Sequence, residues 1–131
     1  AGLKSKDWEQ SFPILHDFQK YGYEWIILTP HYVCPDWMGF SSQKGEVIEN
    51  DPRPYVHYLR NFARKNKIAL ADTAKVYGQL WRCGLPYNTL MTNNINPPDV
   101  RGMKLFADVL MAIFETSDTN EVISKVFNFW G

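Results

Sequence analysis

The run "EWIILTP", residues 24–30, decides the class of fold. Its centre, Ile26-Ile27-Leu28, is continuously apolar instead of alternating between apolar and polar residues. A strand that is covered on both faces has this pattern, and such strands occur mainly in parallel sheets. A second short apolar run, "KIALAD" at residues 67–72, predicts a second strand of the same kind.

A helix is predicted before the first strand. Apolar residues recur there at helical spacing, namely Trp8, Phe12, Leu15 and Phe18. Gly22 follows as a C-terminal stop. Pro13 interrupts the pattern, so the helix either begins near Ser11 with Pro13 in its first turn or is kinked at Pro13.

Two further helices follow the long irregular loop at residues 30–50. For the first, Asp51 or Asn50 is predicted to be the N-cap, with prolines 52 and 54 in the opening turn. For the second, "TAKVYGQLWRCG" at residues 73–84, Asp72 is the predicted N-cap and Gly84 the predicted end.

The C-terminal part of the chain predicts two more helices. The first runs from Asp99 to Phe114, with a predicted core stripe of Met103, Phe106, Ala107, Leu110 and Phe114. Asp118 and Glu121 have capping-box spacing before an apolar run, which predicts a short terminal amphipathic helix. The expected organisation is therefore an α/β unit over residues 1–115 and a terminal helix within residues 116–131.

The alternation of strands and helices predicts βαβ connections and a parallel sheet. About two strands are visible, which is fewer than a parallel sheet needs to bury its faces. The helices carry more apolar surface than two short strands can cover. The pattern is therefore typical of the second half of a larger α/β domain.

The composition excludes several classes of function. Fourteen basic and fourteen acidic residues cancel, which argues against a nucleic-acid or membrane-surface binder. No apolar run approaches the length of a membrane-spanning helix, and the first residues lack the apolar core of a secretory signal, so we expect a cytoplasmic protein. No spacing of His, Cys, Asp or Glu is typical of metal ligands, so neither a metal nor another cofactor is expected.

Three stretches carry a resemblance to a known family. They are "EWIILTPHYVCPDWMGF" (24–40), "NDPRPYVHYLRNFARKNKIALADTAKVYGQLWRCGLPY" (50–87) and "NNINPPDVRGMKLFADVLMAIF" (93–114). Together they resemble the C-terminal half of an SGNH hydrolase, also called a GDSL-type esterase or lipase. The resemblance implies a flavodoxin-like, three-layer α/β/α sandwich that hydrolyses acyl or acetyl esters of sugars or small molecules.

In that family a serine at the end of the first strand attacks the ester, and a histidine oriented by a nearby acid is the base. The loop before the last helix carries both the acid and the histidine. In this sequence the histidine position falls at Pro97, and the acid position falls at Asn93 or, as the weaker alternative, at Asn94. The rest of the motif is kept, in Pro98, Asp99, Arg101 and Gly102.

These replacements remove the chemistry of the triad. Proline has no group that titrates, so it cannot relay a proton at any pH. An asparagine cannot stabilise an imidazolium as a carboxylate does. No serine occurs in a Gly-Asp-Ser context, and the segments that supply the nucleophile and the oxyanion donors would precede residue 1. We therefore expect a chain of an ester hydrolase that is inactive alone.

Two alternatives stay open beside that interpretation. In the first, the chain is a catalytically dead binding or assembly module, which pairs through the exposed edge of its first strand as a dimer or a hetero-complex. In the second, Pro97 is an engineered or erroneous replacement of a histidine.

Two residues are candidates for lining a substrate pocket. His31 follows the first strand at the carboxyl end, where ligands bind in open α/β sheets. The other interpretation of His31 is a loop histidine that hydrogen-bonds to the backbone. Trp37, in the loop at the same end of the sheet, would either stack on a substrate or cap the core.

Overall fold

The computed structural model describes residue 10, residues 12–34, residue 51, residues 53–93 and residues 96–115. Over these residues the chain is a mixed α/β unit with four α-helices and a parallel sheet of two strands. In chain order the elements are α1 (Phe12–Lys20), β1 (Ile26–Leu28), α2 (Pro54–Asn66), β2 (Ala69–Ala71), α3 (Thr73–Arg82), a 3₁₀ helix (Tyr87–Leu90) and α4 (Val100–Glu115). The predicted alternation of helices and strands is confirmed. The terminal helix predicted from Asp118 and the N-terminal residue Trp8 lie outside the described residues.

The two strands run parallel and in register. Ile26 pairs with Ala69, and Leu28 pairs with Ala71. The amide of Thr29 continues this ladder by donating to the carbonyl oxygen of Ala71 at 3.0 Å. Both strands therefore end at one edge of the sheet, so the loops that follow them begin side by side.

The helix ends follow the signals in the sequence. Helix α1 begins at Phe12 with Pro13 in its first turn, and Gly22 ends its C-terminal turn in the left-handed region at φ +83°. The side chain of Asp72 caps α3 by accepting from the amide of Lys75 at 3.1 Å. Gly84, at φ +94°, ends the turn after α3. Of the two predictions for Pro13, the start of the helix is confirmed and the kink is wrong.

The predicted N-cap of α2 is wrong. Arg53 occupies that position without a side-chain cap, and Pro54 is the first helical residue. Asp51 turns away at φ 45° and is buried against the guanidinium of Arg53. As an N-cap, the carboxylate of Asp51 would stay partly in water. In the ion pair it contacts Arg53 instead, whose guanidinium also binds the backbone of Pro30 and His31.

The core lies where α3 and α4 meet the sheet and the start of α2. Its buried apolar side chains come from every part of the described chain after β1, and include Tyr32, Val56, Ala71, Tyr77, Leu80, Leu90, Leu105 and Val109. Val56, Tyr77, Leu80 and Leu90 are entirely shielded from solvent. Among the described helices, none is long and apolar enough to cross a bilayer.

The predicted core stripe of α4 is wrong in its rotation. The buried residues are Gly102, Leu105, Val109 and Ala112, one position away from the predicted stripe. Met103 and Phe114 are 61% and 72% exposed, and Ala107 is also exposed. Helix α4 has apolar side chains on two faces. The prediction chose the face with the larger side chains, but size alone does not show which face packs inward. Gly102 decides this, because only a residue without a side chain fits against the backbone of Leu90.

Candidate functional site

A hydrogen-bonded network joins the ends of the two strands. The hydroxyl of the fully buried Thr29 donates to Asp72 Oδ1 at 2.9 Å and accepts from the amide of Ala74 at 3.0 Å. Arg60 of α2 holds the same carboxylate with two hydrogen bonds, at 2.8 and 3.1 Å. Asp72 is therefore saturated by structural partners, as expected for a cap and not for a catalytic acid.

The loop from Met91 to Asp99 closes on itself before α4 begins. Met91 and Pro98 form an isolated antiparallel bridge, and the amide of Thr92 donates to the carbonyl oxygen of Pro97 at 3.0 Å. The amide of Asp99 donates to the carbonyl oxygen of Leu90 at 2.8 Å. We call residues 91–99 the base loop, after the base that the resemblance described above would imply at position 97. The pairing at its two ends fixes where Pro97 lies.

The side chain of Asn93 turns toward the backbone of the base loop. Its Oδ1 accepts from the amide of Asn96 at 3.3 Å. The polar head of Asn93 therefore lies against the backbone of the residue before Pro97. Asn94, the weaker alternative for the acid position, lies outside the described residues.

His31 connects the base loop to the end of β1. Its Nε2 lies 2.6 Å from the carbonyl oxygen of Asn96, the residue before Pro97. Its ring packs edge-on against Phe106, with centroids 5.4 Å apart, and lies near the ring of Tyr77. The base loop therefore lies beside the carboxyl edge of the sheet. The backbone contact is also the second of the two roles that the sequence suggested for His31.

The geometry assigns a tautomer to His31. A carbonyl oxygen only accepts, so Nε2 carries the proton and donates it, which leaves Nδ1 as an acceptor. Burial lowers the pKa of His31 below its ordinary value of 6.5; the hydrogen bond with Asn96 opposes this effect and the charge of Arg53 adds to it. The imidazole is therefore neutral at physiological pH.

The lowered pKa predicts how stability depends on pH. The unfolded chain protonates His31 as the pH falls through about 6.5, whereas the folded chain does so only at lower pH. Stability that depends on the neutral ring is present above about pH 6.5 and is lost as the pH falls toward the folded pKa. The urea concentration at the unfolding midpoint should therefore be lower at about pH 5.5 than at about pH 7.5. His31→Gln should reduce that fall, because its amide donates to Asn96 but does not titrate.

The control for this measurement is His16→Gln, since His16 is exposed on α1. The urea midpoint of His16→Gln should decrease as the pH is lowered, by as much as the parent's does. Equal pH dependence in His31→Gln and in the parent would show that the buried ring is not responsible.

A buried ion pair holds the backbone on which His31 sits. Arg53 contacts both oxygens of Asp51, at 2.8 and 2.6 Å, and neither residue is more than 3% exposed. The remaining N–H groups of the guanidinium donate to the carbonyl oxygens of His31 at 2.8 Å and Pro30 at 3.2 Å. Burial alone would lower the pKa of Arg53, but the hydrogen bond and charge of Asp51 outweigh it and the pKa is raised. The sequence did not predict this ion pair, because a carboxylate just before a helix is also typical of an N-cap.

Asp99, Arg101 and Gly102 stabilise the start of α4. Asp99 Oδ1 accepts from the amide of Gly102 at 2.9 Å, and its Oδ2 accepts from the guanidinium of Arg101. Burial opposes ionisation of Asp99, but these hydrogen bonds and the charge of Arg101 lower its pKa overall. Arg101 also donates to the carbonyl oxygen of Thr89. Asp99 and Arg101 therefore tie the base loop to α4.

The hydroxyl of Tyr77 points into the same junction. It has no hydrogen-bond partner among the described residues, although its ring is fully buried. A Cβ atom built on Gly102 would lie 3.0 Å from it. Burial raises the pKa of Tyr77, and the charge of Asp99 adds to this. The phenol therefore stays protonated beside the base loop.

Neither the remaining candidate residue nor the comparisons with known proteins identify a function. Trp37 lies outside the described residues, and within them no group of three or more His, Cys, Asp or Glu side chains is placed to hold a metal ion. Comparisons with protein-family models, curated proteins and solved structures find no match for this chain. A functional assignment therefore depends on the motif in the sequence and on the geometry of the base loop.

Proposed function

We propose that this chain is the C-terminal half of an SGNH-type carboxylic ester hydrolase domain, of the acyl or acetyl esterase kind. The domain would have the flavodoxin-like, three-layer arrangement, and the half described here would contribute its last two parallel strands. It would be inactive alone, because the nucleophile and oxyanion donors belong to the other half and Pro97 occupies the histidine position. The observation that carries this proposal is the hydrogen bond between His31 and Asn96, which holds the base loop at the carboxyl edge of the sheet.

The geometry of the base loop supports the proposal in a second way. In an ester hydrolase of this family, the imidazole must reach from the loop before the last helix to a serine at the end of another strand. That reach requires a loop of fixed shape, because a general base must lie within hydrogen-bond distance of the proton it removes. The bridge between Met91 and Pro98 and the contact of Asn93 with Asn96 give such a shape on both sides of Pro97.

His31 has a positioning role in this proposal. Its Nε2–H donates to the carbonyl oxygen of Asn96, so the ring holds the base loop in place. The other ring nitrogen, Nδ1, remains an acceptor. With Phe106 and Tyr77 beside it, His31 would line the wall of the acyl pocket next to the base. The substrate in the completed domain would be a small-molecule or sugar ester.

The test supplies the missing half and restores the base. The chain is produced together with the polypeptide encoded before Ala1, and hydrolysis of p-nitrophenyl acetate is compared for the parent, Pro97→His and Pro97→Ala. Both variants remove the proline ring, but only histidine adds a proton acceptor. We expect Pro97→His to exceed Pro97→Ala by about 100-fold in kcat/KM, which is the lower end of what general-base catalysis contributes.

Two outcomes would contradict the proposal. One is equal activity of the two variants in a completed, folded domain. The other is an upstream sequence without Gly-Asp-Ser and a later Gly-x-Asn-Asp, because the nucleophile and the oxyanion donors would then have no source.

A second candidate function is a catalytically dead binding or assembly module. Among the described residues β1 is paired only with β2, and Leu28 of β1 is 40% exposed. Large apolar side chains of α1 and of the segment between α1 and β1 are exposed as well, namely Ile14, Phe18, Tyr21 and Tyr23. A parallel strand of another chain would cover this edge, in a dimer or a hetero-complex. Stable association with the other half, without activity in Pro97→His, would favour this function. A chain that stays monomeric at micromolar concentration in size-exclusion chromatography, both alone and mixed with the other half, would contradict it.

A further inference from the structure

A second concave site lies on α2 and α3, apart from the base loop. It is a cleft of about 500 Å³, and four of the residues that line it are cationic: Arg60 and Arg64 from α2, and Lys75 and Arg82 from α3. Arg60 and Arg64 are one helical turn apart, so both guanidinium groups project from the same face of α2. Four cations therefore converge on one cleft in a chain whose formal net charge is zero.

The two carboxylates of the cleft do not neutralise it. Asp72 is held by two hydrogen bonds from Arg60 and by the hydroxyl of Thr29. Asp51 is held by Arg53, which is itself a cation immediately behind the cleft wall. Four cations against two carboxylates leave the lining with a net charge of +2 when His57 is neutral. Among the residues that line the cleft, the positive charges therefore outnumber the negative ones.

Such an arrangement favours the binding of an anion. Like charges one helical turn apart, as in Arg60 and Arg64, repel each other. A cleft with low-dielectric walls concentrates their field and raises the local concentration of anions. Arginine guanidinium groups match the oxygens of a phosphate with two parallel hydrogen bonds, and the salt bridge to Asp72 already fixes the orientation of Arg60.

The walls of the cleft indicate more than an inorganic ion. Leu70 and the largely buried Tyr32 line it, and Gly78 of α3 contributes backbone without a side chain. These groups offer apolar surface beside the cations, which suits a ring or a short hydrocarbon attached to the anion. The volume of about 500 Å³ is within the usual range for sites of small organic ligands.

We propose that this cleft binds the phosphate group of a small organic phosphate ester, with Arg64 and Arg82 contacting the phosphate and Tyr32 and Leu70 contacting the organic part. The site is separate from the base loop, because the ring of Tyr32 packs between the cleft and Tyr77, which faces His31. The proposal therefore stands whether or not the chain belongs to an ester hydrolase.

The test measures binding of phenyl phosphate to the full chain by isothermal titration calorimetry at low ionic strength. Inorganic phosphate and phenol are the matched partial ligands. We expect phenyl phosphate to bind about tenfold more tightly than inorganic phosphate, and phenol to show no binding. The double variant Arg64→Gln and Arg82→Gln should weaken binding of phenyl phosphate by at least about tenfold, which is what the loss of a charged hydrogen bond produces.

The control variant is Lys20→Gln, which removes an exposed cation on α1. It should bind phenyl phosphate as the parent does. The far-ultraviolet circular dichroism and the urea midpoint of the double variant are measured beside those of the parent, so that a loss of binding counts only in folded protein. The proposal is overturned if phenyl phosphate and inorganic phosphate bind equally, if phenyl phosphate does not bind to the parent, or if the folded double variant binds as the parent does.

Discussion

Replacing Arg53 with methionine is expected to lower the free energy of unfolding by about 3–5 kcal/mol, the usual result when one partner of a buried ion pair is removed. Methionine fills much of the same volume but leaves the carboxylate of Asp51 buried without its cation. It also leaves the carbonyl oxygens of Pro30 and His31 without their donors. Domains of this size are stable by only about 5–15 kcal/mol, so the variant should lose a large part of its stability. Urea unfolding followed by tryptophan fluorescence measures the change.

Two controls separate the buried charge from a general effect of the substitution. Lys20→Met breaks an exposed ion pair with Asp17 and should change stability by less than about 1 kcal/mol. The double variant Asp51→Asn with Arg53→Met removes the stranded charge, so it should be more stable than Arg53→Met alone. Equal destabilisation by Arg53→Met and Lys20→Met would mean that the buried pair does not hold this loop.

Gly102→Ala is expected to destabilise the fold by about 3 kcal/mol, at the upper end of the usual range for overpacking. The added Cβ would lie 2.6 Å from the carbonyl oxygen of Leu90 and 2.8 Å from Cβ of Pro98. The oxygen of Leu90 accepts from the amide of Asp99, so it cannot retreat without breaking the bond that closes the base loop. At an open position in a helix the same substitution would be stabilising by about 1 kcal/mol, so the sign of the change decides the interpretation. Urea unfolding again measures it.

Gly84→Ala is the matched control for this prediction. Gly84 has open space around its Cβ position but a φ of +94°, so alanine there is strained only by its backbone conformation. We expect a loss of about 1–2 kcal/mol, which is the usual penalty for an L-residue in the left-handed region. If Gly102→Ala proved harmless while Gly84→Ala did not, the tight contact between α4 and the base loop would be refuted.

Both predictions concern the placement of position 97. Arg53 fixes the backbone of His31, which holds Asn96. Gly102 allows α4 to approach the other end of the base loop. In a completed hydrolase domain, a variant at either residue should therefore lower the activity of Pro97→His through misplacement of the base, because small displacements of catalytic groups reduce rates strongly.

Local signals predicted the elements well. The apolar centre of residues 24–30 predicted β1, and Asp72 predicted the start of α3. Gly22 and Gly84 predicted the ends of α1 and α3. These signals are reliable because each one depends on the conformation of a few neighbouring residues and on hydrogen bonds within one turn of helix.

The contacts of the candidate site were only partly predictable. The base loop was identified from its motif, and His31 from its place after a strand. The hydrogen bond between His31 and Asn96 joins residues 65 positions apart and uses a backbone oxygen, which every residue has. The partner of Asp51 was misjudged for a related reason, since a carboxylate before a helix is suited both to a cap and to an ion pair.

Among the described residues, the sequence by itself determined where β1 and β2 lie and where α1 and α3 end, because hydrophobic period, glycine and capping residues act over a few positions. It also determined that position 97 cannot carry a proton. Only the tertiary structure decided which face of α4 packs inward, which cation neutralises Asp51 and what holds the base loop at the edge of the sheet. Those outcomes depend on close contacts between residues that are distant in the chain. The missing Cβ atom of Gly102 selects the face of α4 that packs inward, and the carbonyl oxygen of Asn96 fixes the base loop to His31.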